Sequence, residues 1–335
     1  MNFIKKVWKP ALMVLGLVCL AIAAGGYSMI GMPGKSYTGP LPERTAEGEA
    51  LEEELEGHVQ VLAESIGPRN VMRPEELQRT AEYLEDAFQQ AGYGEVARQS
   101  FEVNGVECHN LEVEIPGSER ADEIVVIGAH YDSAYDAPGA NDNGSGVAGV
   151  LALAKRFADA QPSRTLRFVL FVNEEPPFFQ TEDMGSLRYA RRSAERGEDI
   201  VAMISLETIG YFDPTEGSQQ YPVGLLGLAY PTEGDFVAFV ANRRSRGLVR
   251  DAIGTFRKHA AIGSEGAALP EMIPGVGWSD HWAFWQESYP AIMVTDTAPF
   301  RYPYYHTPED TPDKLDYRRM ALVVEGLQKV IDDLI

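Results

Sequence analysis

The chain has 335 residues, 44% of them hydrophobic, which is enough to bury a sizeable core in one large domain or two small ones. Its formal net charge of −21 argues against nucleic acid and anionic membrane surfaces as partners. The only cysteines are Cys19 and Cys108; with the first inside an apolar run, no intrachain disulfide is expected and the core must hold the fold.

In chain order, Lys5, Lys6 and Lys9 precede residues 11–30, twenty residues without a charge. That is about the length needed to cross a bilayer, and the basic flank would stay on the cytoplasmic side. Ala21-Ile22-Ala23 also offers a cleavage site, so residues 1–30 read as a membrane anchor or a signal segment. Both readings export the rest, and the continuation of the apolar run to Ile30 favours the anchor. Residues 31–43 are Gly/Pro/Ser-rich and read as a linker, leaving 44–335 as the main domain. Leu51, Leu55, Val59, Leu62 and Ile66 fall at helical spacing, and residues 75–91 form a second amphipathic helix ended by Gly92. Asn104-Gly105 between apolar runs predicts a hairpin. Strands over 123–129, 166–172 and 201–206 then alternate with helices. Two more apolar runs follow, Tyr221 to Leu228 and Tyr289 to Thr295, and a helix closes the chain over 317–334. The expected class is α/β, a mixed, mostly parallel β-sheet with helices on both faces.

The strand at 123–129 runs into His130-Tyr131-Asp132-Ser133, placing an imidazole and a carboxylate at its C-terminal edge, where open α/β sheets bind ligands. The Gly- and Asn-rich stretch Gly139 to Gly146 can turn sharply and return Asp142 towards His130. His130 and Asp142 read as metal ligands, with Asp132 orienting the imidazole; the plainer reading, a polar loop with His130 on its rim, is as good on these residues alone. The next strand ends in Asn173-Glu174-Glu175, whose adjacent carboxylates point apart and can serve as ligand and base. Another strand ends at Glu207, and His306 lies in a loop before the last helix. Two histidines and several carboxylates without cysteine suit zinc or a similar divalent ion. Five ligands for two ions require a bridging carboxylate, and Asp142 is the natural candidate.

These pieces, with Gly139-Ala140-Asn141-Asp142-Asn143, Ser279-Asp280-His281 and Tyr305-His306-Thr307-Pro308-Glu309-Asp310, resemble metallopeptidase family twenty-eight over roughly residues 50 to 335. That family holds co-catalytic zinc aminopeptidases and also glutaminyl cyclases. The resemblance implies two zinc ions, one on His130, Asp142 and Glu207, the other on Asp142, Glu175 and His306, with Glu174 as general base. It implies peptide substrates and an aminopeptidase activity. Glu207 departs from the family's usual aspartate. Residues 176–184 replace a short Gly-rich stretch, which opens the question of substrate preference.

Tyr305 beside a ligand is a candidate oxyanion donor, a core tyrosine being the plainer reading. Asp280 is a candidate for the substrate's amine or for a supporting hydrogen bond. Phe178, Phe179 and Trp278, with Trp282, Tyr302 and Tyr304, crowd the expected loops and point to an apolar side-chain pocket. Two alternatives stand beside the aminopeptidase: a glutaminyl cyclase, whose ligand histidine usually follows Trp where this chain has Tyr305, and a silent receptor or scaffold domain, which would have lost ligands.

Overall fold

The computed structural model describes residues 25–335. The helices α1 (Ala46–Gln60) and α2 (Pro74–Gln90) come first, followed by the strands β1 (Ala97–Val103), β2 (Val106–Ile115) and β3 (Arg120–His130). Alternation then sets in with α3 (Gly146–Phe157), β4 (Arg164–Phe171), α4 (Gly185–Glu195), β5 (Asp199–Glu207), β6 (Phe236–Asn242), α5 (Arg246–His259) and β7 (Gly263–Leu269). The short helix α6 (His281–Gln286), β8 (Ala291–Thr295) and α7 (Tyr317–Leu334) complete the chain.

The eight strands form one sheet in the order β1-β2-β4-β3-β5-β8-β6-β7. Pairing is parallel through β4, β3, β5 and β8, and again between β6 and β7; β1/β2, β2/β4 and β6/β8 are antiparallel. The hairpin turns at Asn104 and Gly105, whose φ angles of 53° and 81° are the positive values a two-residue turn needs. β3 shows why the centre is so apolar in sequence. Val125, Ile127 and Ala129 enter one core, with α1, α2, α3, α5 and α7, while Ile124 and Val126 enter the other, with α4 and α6. A strand covered on both faces needs an unbroken apolar run.

The C-terminal ends of β3, β4, β5 and β8 share one edge, and that edge carries the site. β6 and β7 were not expected. β7, with the sequence GSEGAAL, has little strand propensity and becomes a strand through its pairing with β6. The apolar run Tyr221 to Leu228 forms no strand; it is a surface loop ending in a 3-10 turn, with Leu225 and Leu228 72% and 84% exposed.

Most of the expected anchor or signal segment lies outside the described residues. Residues 25–30 are helical, and among the described residues no helix is long and apolar enough to cross a membrane. The stretch expected as a linker is tied down at its start. Arg250 of α5 donates to the carbonyl of Gly31 and Arg257 to that of Pro33 at 3.1 Å, while Arg246 donates to the carbonyl of Ser28 just before the stretch. The Ser36 hydroxyl accepts from the Ser264 amide of β7 at 2.9 Å.

Candidate metal centre and active site

His130 ends β3 with its ring buried. The chain leaves through residues 131–139 and turns back at Gly139 (φ 65°), where a Cβ would lie 2.5 Å from the Asp142 carbonyl oxygen and 2.7 Å from Ser133 Cβ. The tight turn Ala140–Ser145 then delivers Asp142 beside its partner, Oδ1 3.5 Å from His130 Nε2. The other oxygen, Oδ2, is 3.1 Å from His306 Nε2. Asp142 thus faces both imidazoles, one through each oxygen. Glu207 Oε2 approaches His130 Nε2 to 3.1 Å, and Glu175 Oε2 approaches His306 Nε2 to 3.1 Å. Two triads result, His130-Asp142-Glu207 and Asp142-Glu175-His306, sharing Asp142. Three positions at or next to the cluster, Asn173, Thr208 and His306, have φ of 61°, 50° and 58°. A non-glycine residue there costs about 1–2 kcal/mol, and such strain gathers at functional sites.

Several buried groups hold the ligands. The Asp132 carboxylate accepts from the amides of Glu174 and Glu175, both at 3.1 Å, and lies 3.5 Å from His130 Nδ1. The hydrogen bond of His130 Nδ1 goes to the Asp132 backbone carbonyl at 3.3 Å, while the carboxylate fixes the backbone of the Glu pair. Asn143 Oδ1 accepts from Gly146 and Thr208 amides, and its Nδ2 donates to the Leu206 carbonyl, which ties the end of β5 to the start of α3. Asp310 accepts from the amides of Asn141 and Asp142 and from the Tyr302 hydroxyl. Ser279 donates to Glu207 Oε2 at 2.8 Å. Asn143, Asp310 and Ser279 had no role in the sequence reading. They stand inside or beside the motifs, but their partners are distant in the chain.

Burial pushes Glu175 up to about 8, with Asp142 adding to the shift, and burial carries Glu174 well above the usual carboxylate range. Burial opposes charge on His306, yet Asp142 and Glu175 raise it to about 10; His130 is likewise raised, by Glu207 and Glu174. So many carboxylates in one dry place require positive charge among them. The buried atoms without a hydrogen-bond partner include His130 Nε2, His306 Nε2, Asp142 Oδ2 and Glu175 Oε1, all converging on the cluster. Ligands at about 2.0–2.1 Å from a tetrahedral ion stand about 3.3 Å apart, and the closest contacts between imidazole nitrogen and carboxylate oxygen here span 3.1–3.5 Å. The donor set fits zinc.

Glu174 sits beside the first triad without belonging to it, Oε2 3.8 Å from His130 Nε2. From Glu207 and Tyr305 a cleft runs along the sheet, walled by Tyr221, Tyr230, Phe236, Trp278, Met293 and Phe300. Trp278 stacks on Phe300 with centroids 6.2 Å apart, and Tyr305 stacks on the His306 ring at 3.8 Å. The other expected pocket residues lie elsewhere. Phe178 packs against the larger core and Phe179 against the smaller, and neither lines this cleft. Asp280 is wholly buried at the start of α6 and lines no part of this cleft; burial pushes it up to about 7. His281 bonds the Val276 carbonyl at 2.8 Å, as a core histidine does.

The fold and the paired triads define the class, a metallopeptidase. The profile of Peptidase family M28 matches residues 110–331, and the chain belongs to that family. It is 38% identical over 286 residues to the uncharacterized protein YfbL of Escherichia coli, covering 83% of this chain and 87% of that one. A probable leucine aminopeptidase of Arthroderma otae is 27% identical over 223 residues, and that match covers 62% of this chain but only 52% of the fungal protein. Among solved structures, the zinc aminopeptidase of Bacillus subtilis superposes with a TM-score of 0.68 at 14% identity, over 88% of this chain and 96% of its own. Glutaminyl cyclases share the fold as well.

Proposed function

We propose that the protein removes N-terminal residues from peptides, with His130, Asp142 and Glu207 holding one zinc ion and Asp142, Glu175 and His306 the other. The single observation that carries this reading is the position of Glu174, against the cluster yet outside both triads. Bound zinc supplies Lewis acidity, lowering the pKa of water and stabilising negative charge on the carbonyl oxygen. The chain does the rest. Glu174 takes a proton as the water oxygen attacks the scissile carbonyl, and returns it to the amine nitrogen as the C–N bond breaks. Asp132 keeps the base in place through the two amides it binds. The acidic surroundings suit a free α-ammonium, and the apolar cleft suits a large apolar side chain next to it. Tyr305, which lines the cleft next to the ligand His306, is placed to donate to the oxyanion.

The glutaminyl cyclase reading shares the fold but uses a single zinc; the complete second triad favours hydrolysis. The uncharged run at 11–30 behind three lysines supports an exported enzyme, anchored or secreted; protease accessibility in intact cells, against a cytoplasmic marker, tests that placement.

Turnover of leucyl-p-nitroanilide by the purified protein, with chelator, with zinc restored, and in Glu174→Gln, tests the catalytic reading. Zinc-dependent release lost in the variant supports it. Release of no amine by zinc-loaded protein, with cyclisation of an N-terminal glutamine instead, replaces it with the cyclase.

A further inference from the structure

Arg69 lies far from the motifs in sequence, in the connection between α1 and α2, and is wholly buried. Its guanidinium pairs with no carboxylate among the described residues and is spent on backbone carbonyls. Nε donates to Tyr131 at 2.6 Å, Nη2 to Gly139 at 2.8 Å, and Nη1 to Pro138, Leu62 and Gly67. The backbone joins in: the Arg69 amide donates to Ser133 Oγ, and the Arg69 carbonyl accepts from the Ser133 amide. Next to it, Asn70 Nδ2 donates to the carbonyls of Ser133 and Tyr135.

Apart from Leu62 and Gly67, the carbonyls held this way belong to residues 131–139, the segment that leaves ligand His130 and returns with ligand Asp142. Tyr131 and Gly139 stand at its two ends, and one guanidinium grips both. The fit is close enough that a Cβ on Gly139 would come within 3.1 Å of Nη2. Burial lowers Arg69 to about 10, so it stays charged at neutral pH, in the field of Asp310, Asp132 and Asp142. A planar fork with five donors can meet carbonyls arranged around it; an ammonium with three cannot reach them all.

We propose that Arg69 is a positioning residue for the metal centre, fixing the separation of His130 and Asp142 by clamping both ends of the loop between them. The proposal rests on the zinc assignment above, but its test reads metal binding itself and needs no substrate. Wild-type, Arg69→Lys and Arg69→Met full-length proteins are compared for zinc stoichiometry and affinity by chelator competition, for kcat and KM, and for thermal midpoint. Arg167→Lys serves as control, a β4 arginine that is largely buried, 9% exposed, but is held by the carboxylates of Glu114 and Glu198.

Loss of a group that orients ligands lowers metal affinity or activity by about 10- to 100-fold. Arg69→Met is expected in that range for zinc affinity and kcat, with KM changed much less, and Arg69→Lys in between. The control is expected to lower the thermal midpoint while leaving zinc affinity as in the wild type. Wild-type zinc affinity in Arg69→Met, whatever its thermal midpoint, overturns the proposal. If the methionine variant does not fold, the lysine variant decides: a lowered midpoint with unchanged zinc affinity assigns Arg69 a purely structural part. A wild-type protein that binds zinc but hydrolyses nothing would fail the proposed function and leave this test intact.

Discussion

At the metal end of the cleft, His130, Asp142, Glu174 and Glu175 are at most 7% exposed, and amides, hydroxyls and amide side chains from distant parts of the chain fix the segments that carry them. At the outer wall, Tyr221, Leu226 and Tyr230 come from a surface loop whose other apolar residues, Val223, Leu225 and Leu228, are 39%, 72% and 84% exposed, and which is held mainly by short-range backbone bonds and the Tyr230–Gly266 contact. The first region spends backbone strain and buried charge to keep six side chains in register. The second keeps only an apolar surface. Chemistry and side-chain choice are thereby separated in the fold, so changes at one end should leave the other nearly untouched.

The comparison breaks first at the base. Glu174→Gln is expected to lower kcat by about 10³-fold, within the range for general base catalysis, while zinc content by elemental analysis stays at the wild-type value. Loss of zinc in that variant would make Glu174 a ligand instead. His306→Ala, in contrast, should remove one equivalent of zinc, and Asp142→Ala should weaken both sites, because Asp142 faces both imidazoles.

A smaller effect separates His281 from the ligands. Burial lowers it to about 4, against 6.5 for an exposed histidine, so the unfolded chain binds its proton first. Stability from this group is complete above about pH 6.5 and falls by about 1.4 kcal/mol per pH unit as pH drops towards 4. Urea unfolding of His281→Gln between pH 7 and 4.5 should show a shallower loss than the wild type; equal slopes would mean the ring is already charged in the fold. Asp310→Asn weakens the hold on the Asn141 and Asp142 amides and is expected to cost about 1–3 kcal/mol, read from the urea midpoint, together with a weaker zinc affinity. Smallest of all, Trp278→Ala should reduce kcat/KM for leucyl over alanyl substrates by about tenfold, with no change in zinc binding. A change in zinc binding there would show that the cleft wall and the metal centre are coupled.

The ligands were legible in the sequence because each lies at or just beyond the end of an apolar strand, or within a short polar motif, and their chemistry is local. His130, Asp142, Glu174, Glu175, Glu207 and His306 all come together where the strand edge places them. The pocket was not legible in the same way. Aromatic residues near the motifs suggested Phe178 and Phe179, but side-chain direction decides between core and cleft, and theirs lead into the cores.

The sequence by itself determined the α/β alternation, the central strands and the residues proposed as metal ligands, since continuous apolar runs and turn residues act over a few positions. Only the tertiary structure decided the rest: β7 becoming a strand through β6, Asp280 lying wholly buried, and Arg69 reaching the loop between two ligands. Each depends on what a distant segment presents, a free strand edge, a closed core or a set of inward carbonyls, and no local pattern of residues encodes that.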